Sequence, residues 1–449
     1  MIDANEIAGA IGLPCIVSSR MQTALDLWDR AYRNEGEWLT SRVRSMRIPA
    51  VVCKELKRLT LKELTASVSD AEIDAAFQKA LPVLRRRLDN GLAVGGLLFK
   101  PFWSGGPRLD MVTQSEYLPI TYTDDCCTSA ACPETLTIGK KSYTRIEIHT
   151  YVAGTQTHMV ENRCFCSDNP AFLGRECSLS EVPAWSGMIP RKVYPGVKQP
   201  LFSVFQVPDS NSIDPDSPLG ISAFADAVDF VRDADIHWER ILWELESSER
   251  AIDAAEDLFR HKPGGGFELP RGRERMFRLF SQNPNGDNKT IFNTFSPEIR
   301  DASYFNALNQ ILRRIEDGCG LAYGTISQVD DVEKTAEEIK LSKQRSFDRV
   351  HDMQEALRAA LEGAVYGMQY LRDYYENRHN EAVLTCTFGD GILEDTDKEF
   401  ARRIQMVTAG LLSKEQFVQW YFSCSEADVQ KYLPAVSELF QNGTPSLLG

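Results

Sequence analysis

From Thr335 to Glu376 the chain repeats apolar residues at helical spacing for longer than an ordinary globular helix. Ala336, Ile339, Phe347, Val350, Met353, Leu357, Leu361, Ala364 and Met368 recur three or four residues apart, except across one gap filled by Lys340 and Lys343. At 1.5 Å per residue such a helix spans roughly 60 Å, where the usual globular helix has only ~10–14 residues. Lys340, Lys343 and Arg349 interrupt the heptad that a coiled coil needs, and the sequence offers no second helix of equal length. The pattern predicts a single spine that needs support along its whole length, and a spine packed between neighbouring copies of the same chain fits it.

The rest of the sequence bounds what surrounds that spine. The chain has 449 residues, material for about two to four domains, with an ordinary 43% of apolar residues. No run approaches the ~18 apolar residues of a membrane span. The first residues, Met1-Ile2-Asp3-Ala4-Asn5-Glu6, lack a basic segment followed by an apolar core, which predicts an intracellular protein with no membrane partner. The net charge of −14, from 50 basic and 64 acidic residues, argues against ordinary DNA binding through phosphates. It leaves room for a duct that DNA traverses without sticking. Eleven cysteines, spread from Cys15 to Cys424, suit reduced thiols better than a disulfide framework.

In chain order, Met21, Ala24, Leu25, Trp28 and Tyr32 mark an amphipathic helix capped by Ser18 or Ser19. Helical patterns follow over Pro49–Leu59 and Asp70–Asn90. The period then changes to strands: Leu92–Pro101, Leu109–Thr113, Leu118–Tyr122, Thr135–Ile138, Ser142–Val152 and Gln156–Asn162. These predict an α+β region with a small antiparallel sheet, ending near Pro208 at the linker Pro208–Pro218. Gly220–His261 reads as helical, and between Asp226 and Asp257 it carries eleven acids against Arg232, Arg240 and Arg250. Such a run is a solvated face or an acidic lining for a polyanion that must not stick. Lys262–Arg300 reverses the balance, with seven bases against four acids on short apolar pieces. After the spine come a strand over Ala382–Phe388, two or three helices over Thr396–Gln441, and a loose tail.

The sequence contains no phosphate-binding Gly-x-x-x-x-Gly-Lys-Ser/Thr loop, no dinucleotide fingerprint, no nucleophile elbow and no His-Glu-x-x-His, so an ATP-driven motor has no support. Cys126, Cys127, Cys132, Cys164, Cys166 and Cys177, with His158 nearby, form the one constellation resembling chemistry. Zinc commonly takes paired Cys-x-x-Cys knuckles, whereas these cysteines are adjacent or Cys-x-Cys. Free, partly buried thiols are the plainer reading. A zinc-containing nucleic-acid-processing enzyme, with the basic Arg271–Arg278 segment as its grip, is the alternative; a helical scaffold is a third.

The order of features resembles the portal proteins of tailed double-stranded DNA bacteriophages, of the siphophage type found in phages of Gram-positive hosts. The pieces that carry it are Met21, Ala24, Trp28, Tyr32 and Trp38; Gly95–Pro101 leading to Tyr117-Leu118-Pro119; Leu219–Ser222 opening a helix with Asp235 and Glu244; Pro297–Arg300 through Gly320–Thr325 to Lys334–Ile339; and Ala409–Lys414. The resemblance implies a helix-rich, multidomain α+β portal fold that forms a twelve-fold ring. It divides the chain into a wing over 1–216, a first stem helix over 217–261, a clip over 262–300, a second stem helix over 301–326, a tunnel loop over 327–334, a long wing helix and strand over 335–392, and a crown over 393–449.

By the same resemblance, Gln328, Val329, Asp330, Asp331 and Lys334 face double-stranded DNA, and Arg271, Arg273, Arg275 and Arg278 face a partner at the clip. That loop is acidic, which makes gripping of DNA there less apt than steric or water-mediated contact. The implied partners are further copies of the chain, DNA, the major capsid protein and scaffold, the terminase large subunit and a head-tail adaptor or neck protein. No catalysis, cofactor or metal is implied, and the expected location is one vertex of a virion capsid assembled in the bacterial cytoplasm.

Overall fold

The computed structural model describes residues 2–123, 126–249, 251–255, 259–261, 267–269, 277–280, 292–296, 298–328, 336–389 and 396–422. Residues up to Gly389 form one unit and those from Asp390 a second.

Short polar residues set the first helix starts. Asp3 caps α1 (Ala4–Ile11) by accepting from Asn5 N at 2.8 Å, and Gly12 ends it at φ 72°. Ser18 caps α2 (Ser19–Arg33), accepting from Met21 N at 3.2 Å, and the helix buries Met21, Ala24, Trp28 and Ala31. Helix α3 (Ile48–Leu61) has Pro49 in its first turn, where a missing N–H leaves nothing unpaired. Strand β1 (Thr65–Val68) precedes α4 (Ala71–Val94), whose cap Asp70 accepts from Glu72 N and Ile73 N. Neither α1 nor β1 is foreseen by the sequence reading.

The boundary after α4 differs from expectation. Leu92, Ala93 and Val94 form the last buried turn of the helix, and the strand β2 (Gly96–Trp103) begins only at Gly96. Because residues 92–99 are apolar or glycine throughout, no period marks the change. Gly95 does, at φ 95°; a Cβ there would fall 2.3 Å from Gly220 O, and one at Gly220 would fall 2.2 Å from Gly95 O. The two glycines let the backbones touch.

The following strands are β3 (Pro107–Thr113), β4 (Leu118–Thr123), β5 (Cys126–Ile138), β6 (Lys141–Val152), β7 (Thr157–Ser167), β8 (Arg175–Cys177), β9 (Arg191–Pro195) and β10 (Ser203–Gln206). β10, β2 and β3 form one antiparallel sheet in that order, and β4 to β8 a second in sequence order, with β9 also on β7. The stretch 208–218 is tied down: Asn211 donates to Leu219 O and accepts from Ile213 N and Asp214 N, while Asp209 pairs with Arg349.

Helix α5 spans Val228–Ser247, shorter at both ends than the expected 220–261. Ile221, Ala223 and Phe224 are buried in the preceding loop, and Ile252 lies in a strand, β11 (Ala251–Ala255). Glu244, Glu246 and Glu249 oppose the negative end of the helix dipole, which favours termination there. β11 pairs in parallel with β12 (Phe277–Phe280) and antiparallel with β13 (Phe292–Phe295). Two of the short apolar pieces expected after the helix thus become strands, and the third strand, β11, comes from the segment expected to be helical. Helix α6 (Asp301–Gly318) follows.

The spine is α7 (Ala336–Glu376), 41 residues long. Val350, Met353, Leu357, Ala360, Leu361, Ala364, Val365, Met368 and Leu371 are buried. Over this stretch the chain's own β10–β2–β3 sheet and α3 pack against the helix. Gly363 and Gly367 allow the approach: added Cβ atoms would lie 2.7 Å from Ser203 Cβ and 2.8 Å from Pro101 Cγ. Fully buried Arg372 pairs with Asp70 at 2.5 Å and donates to Asn380 O at 2.6 Å. Strand β14 (Leu384–Thr387) then closes on β1 in antiparallel register.

In the second unit, α8 (Thr396–Thr408) and α9 (Lys414–Phe422) meet through Phe400, Phe417 and Tyr421, and Arg403 lies 4.3 Å from the Trp420 ring. The expected turn at Ala409–Ser413 separates them. The expected helix beyond α9 and the tail lie outside the described residues. No helix among the described residues is long and apolar enough to cross a membrane.

Candidate functional site: a helical hairpin and the loop it holds

Helices α5 and α6 form an antiparallel hairpin. At one end Arg300, just before α6, makes a two-pronged pair with Glu244 near the end of α5, at 2.8 and 3.1 Å. At the other, Gly318 lies against Ala227, where an added Cβ would meet Ala227 Cβ at 3.3 Å. Between them His237 Nε2 sits 2.9 Å from Tyr304 O, and Ile241 and Leu308 are buried. The chain passes from α5 to α6 through the β12–β11–β13 sheet, so the hairpin carries that sheet at its connected end.

The hairpin also exposes large apolar side chains. Phe230, Leu242, Leu245, Phe305 and Trp243 face solvent, Trp243 with 56% of its surface exposed. Two of the acids in the run 226–257 do not line any surface. Asp235 is buried and accepts from Trp38 Nε1 and Met46 N, and Glu244 is held by Arg300.

From the end of α6 the chain turns back along the helix over residues 319–328. Glu316 is fully buried and gathers that return segment. Its Oε1 accepts from Ile326 N at 2.6 Å and Ser327 N at 2.9 Å, and its Oε2 from Ser327 Oγ at 2.7 Å and Gly324 N at 3.3 Å. One turn and more further back, Asn309 donates to Gln328 O at 3.2 Å and accepts from Gln328 N at 2.7 Å, and Arg313 reaches the same carbonyl at 3.4 Å. Of the residues expected to face DNA, Gln328 is therefore exposed and held through its backbone. Val329, Asp330, Asp331 and Lys334 lie outside the described residues, as do Arg271, Arg273 and Arg275. Arg278 lies exposed on β12, opposite Asp253.

A second cluster, missed apart from His158, lies in a cleft of about 750 Å³ over β5, β6 and β7. Glu147 receives Lys100 at 3.1 Å, Arg145 at 2.9 Å and His149 Nε2 at 2.8 Å, and His149 Nδ1 meets His158 Nε2 at 3.1 Å. Leu201 N donates to His158 Nδ1 at 3.4 Å, which fixes the remaining protons. His158 is neutral with its proton on Nε2, donates to His149 Nδ1, and His149 donates in turn to Glu147. Burial lowers the His158 pKa well below its usual value and keeps it neutral. For Glu147 burial works upward, but His149, Lys100 and Arg145 outweigh it and hold the carboxyl well below the usual range. The relay's hydrogen bonds are made inside the protein, among these side chains and Leu201 N, and they pin the sheet.

The cysteines separate. Cys127 and Cys132 sit in one small apolar cluster and Cys164 with Cys177 in another, the latter pair opposed across β7 and β8 with sulfurs 3.4 Å apart. Burial pushes the Cys127 and Cys132 thiols up to about 12. Among the described residues no three His, Cys, Asp or Glu side chains converge on a metal position. No protein-family model matches the chain, and no curated protein matches it in sequence.

Proposed function

We propose that this chain is the subunit of a ring-shaped portal, the channel at one capsid vertex through which a tailed phage packages and ejects double-stranded DNA. The observation that carries the reading is an order of parts: a helical hairpin bearing a small sheet, a loop pinned back along the second helix, then a 41-residue helix across the body. In this reading α5 and α6 are the stem, β11 to β13 belong to the clip, Gln328 begins the tunnel loop, α7 is the wing helix, and α8 and α9 belong to the crown. The exposed apolar residues of the hairpin supply a surface for neighbouring copies, and twelve copies close the ring by repeating one heterologous contact.

The remaining partners follow from this reading: capsid protein and scaffold around the ring, the terminase large subunit and then a neck or adaptor protein at the clip. The chain itself catalyses nothing; its acidic balance lets DNA slide, since each phosphate contact would slow it. Native mass spectrometry with negative-stain class averages of the purified chain tests the reading. A closed ring with a central hole is the expected result. A chain that remains monomeric at every concentration, and also in lysates where phage heads assemble, sinks it.

A further inference from the structure

We propose that Asn309, Arg313 and Glu316 form a rail on α6 that positions Gln328, so that the root of the loop assigned to DNA moves with the stem helix as one body. This rests on the portal reading. The three residues are spaced i, i+4 and i+7, which places them on one helix face, one above another. The segment 324–328 belongs to no helix or strand, yet its N–H groups at Gly324, Ile326, Ser327 and Gln328 all find acceptors on this face. Side chains of α6 thus do for these donors what a neighbouring strand would do.

Two features make this a positioning device beyond ordinary loop satisfaction. Glu316 is a buried carboxylate that gathers N–H and O–H donors of the return segment, from Gly324, Ile326 and Ser327. Such charge-assisted bonds are stronger than neutral ones, and the segment cannot leave without stranding the charge. At the exposed end, the Asn309 amide binds both the N–H and the C=O of Gln328, which fixes the orientation of that residue's backbone as well as its place. The sequence after Gln328 therefore starts from a point set by α6, and a rotation or shift of α6 displaces that point directly.

The test uses the full chain assembled as rings. Hydrogen exchange is followed at residues 324–328 in the parent, in Glu316→Gln and in Asn309→Ala. The second variant touches only the exposed end of the rail and leaves the buried carboxylate in place, so it folds even if the first does not. In parallel, a photo-crosslinking amino acid replaces the side chain of Gln328, whose backbone alone the rail uses, and linear duplex DNA is the probe.

Exchange at Gln328 about tenfold faster in Asn309→Ala, with ring mass and melting temperature unchanged, together with a several-fold loss of cross-linked DNA, is the expected result. Asn309→Asp keeps the acceptor for Gln328 N–H and is expected to recover part of the cross-link. Unchanged exchange in both variants overturns the rail. Faster exchange with an undiminished cross-link overturns its positioning role. No cross-link from the parent ring overturns the channel reading and the DNA half of this proposal with it, while the exchange result still decides the rail, so the two failures are distinguishable.

Discussion

Trp38 Nε1 donates to Asp235 Oδ2 at 2.8 Å across 197 residues of sequence. With Met46 N on the other oxygen at 2.6 Å, this bond ties the loop between α2 and α3 to the start of the α5–α6 hairpin. Asp235 is 1% exposed, and burial raises its pKa against the two donors that lower it. Trp38→Phe keeps an aromatic body but leaves one carboxylate oxygen unpaired. The expected loss is about 1–3 kcal/mol at neutral pH by chemical denaturation. A raised folded pKa means the destabilising part is absent in acid and grows as pH rises through that pKa. The loss is therefore smaller in acid, where Asp235 takes its proton at a pH above the ordinary ~3.9.

The relay of Glu147, His149 and His158 predicts acid lability. Because the folded pKa of His158 is depressed, the unfolded chain binds a proton below pH ~6.5 that the native one refuses, and stability falls as pH drops from there. Glu147 adds to the fall below pH ~4.5, for its folded pKa is depressed as well. His158→Gln can accept from Leu201 N and donate to His149 without titrating. Its stability profile between pH ~5 and ~6.5 is expected to be flatter than the parent's, where one unmatched proton gives at most about 1.4 kcal/mol per pH unit. An unaltered profile in thermal melts across that window would show the acid response to arise elsewhere.

Gly367→Ala tests the seat of the spine. The new methyl would lie 2.8 Å from Pro101 Cγ and 2.9 Å from Leu201 O, and neither the proline ring nor the backbone can swing away. A loss of about 1–3 kcal/mol is expected, the range of overpacked cores. Gly9→Ala, which meets nothing within 4 Å in α1, serves as the control and should not destabilise.

Arg372→Gln removes a fully buried cation from Asp70, which keeps 13% of its side chain exposed. Breaking a buried pair costs about 3–5 kcal/mol, and the partial exposure of Asp70 places the expected loss at the lower end. Denaturation midpoints check it, and an accompanying Asp70→Asn should recover part of the loss, because Asn caps α4 as Asp does and leaves no unpaired charge.

Much of this fold was legible where one local signal decided it. Ser18 capped α2 as its position suggested, and nine apolar positions at helical spacing gave α7 its length. Signals failed where two readings shared one pattern. The run after Asn90 suited helix and strand equally until Gly95 and Gly220 were seen in contact, and Ile252 continued the apolar series of α5 from within a strand. Non-local pairing was invisible in principle: nothing in Thr65–Val68 names Leu384–Thr387 as its partner.

Of the residues named by resemblance, Gln328 and Arg278 fall among the described ones, and the fixings of Gln328 were not legible. Gln328 was picked out through resemblance, but Asn309, Arg313 and Glu316 read as the polar face of a helix until the chain was seen to return along it. Arg145, Glu147 and His149 alternate with Ile146 and Ile148, a pattern that on a strand reads as a wet face. That face is covered, and its charges satisfy one another.

The pairing of β1 with β14 has a kinetic consequence. Thr65 and Thr387 stand opposite each other 322 positions apart in the chain, their hydroxyls 2.6 Å apart. During synthesis at ~5–20 residues per second, the ribosome needs on the order of 15–60 s after making β1 before its partner exists. For that interval β1 is an open edge and α3 and β2 lack the spine helix that covers them. A nascent chain of this kind spends most of its birth needing protection from its own copies, the very molecules its mature surface is proposed to join.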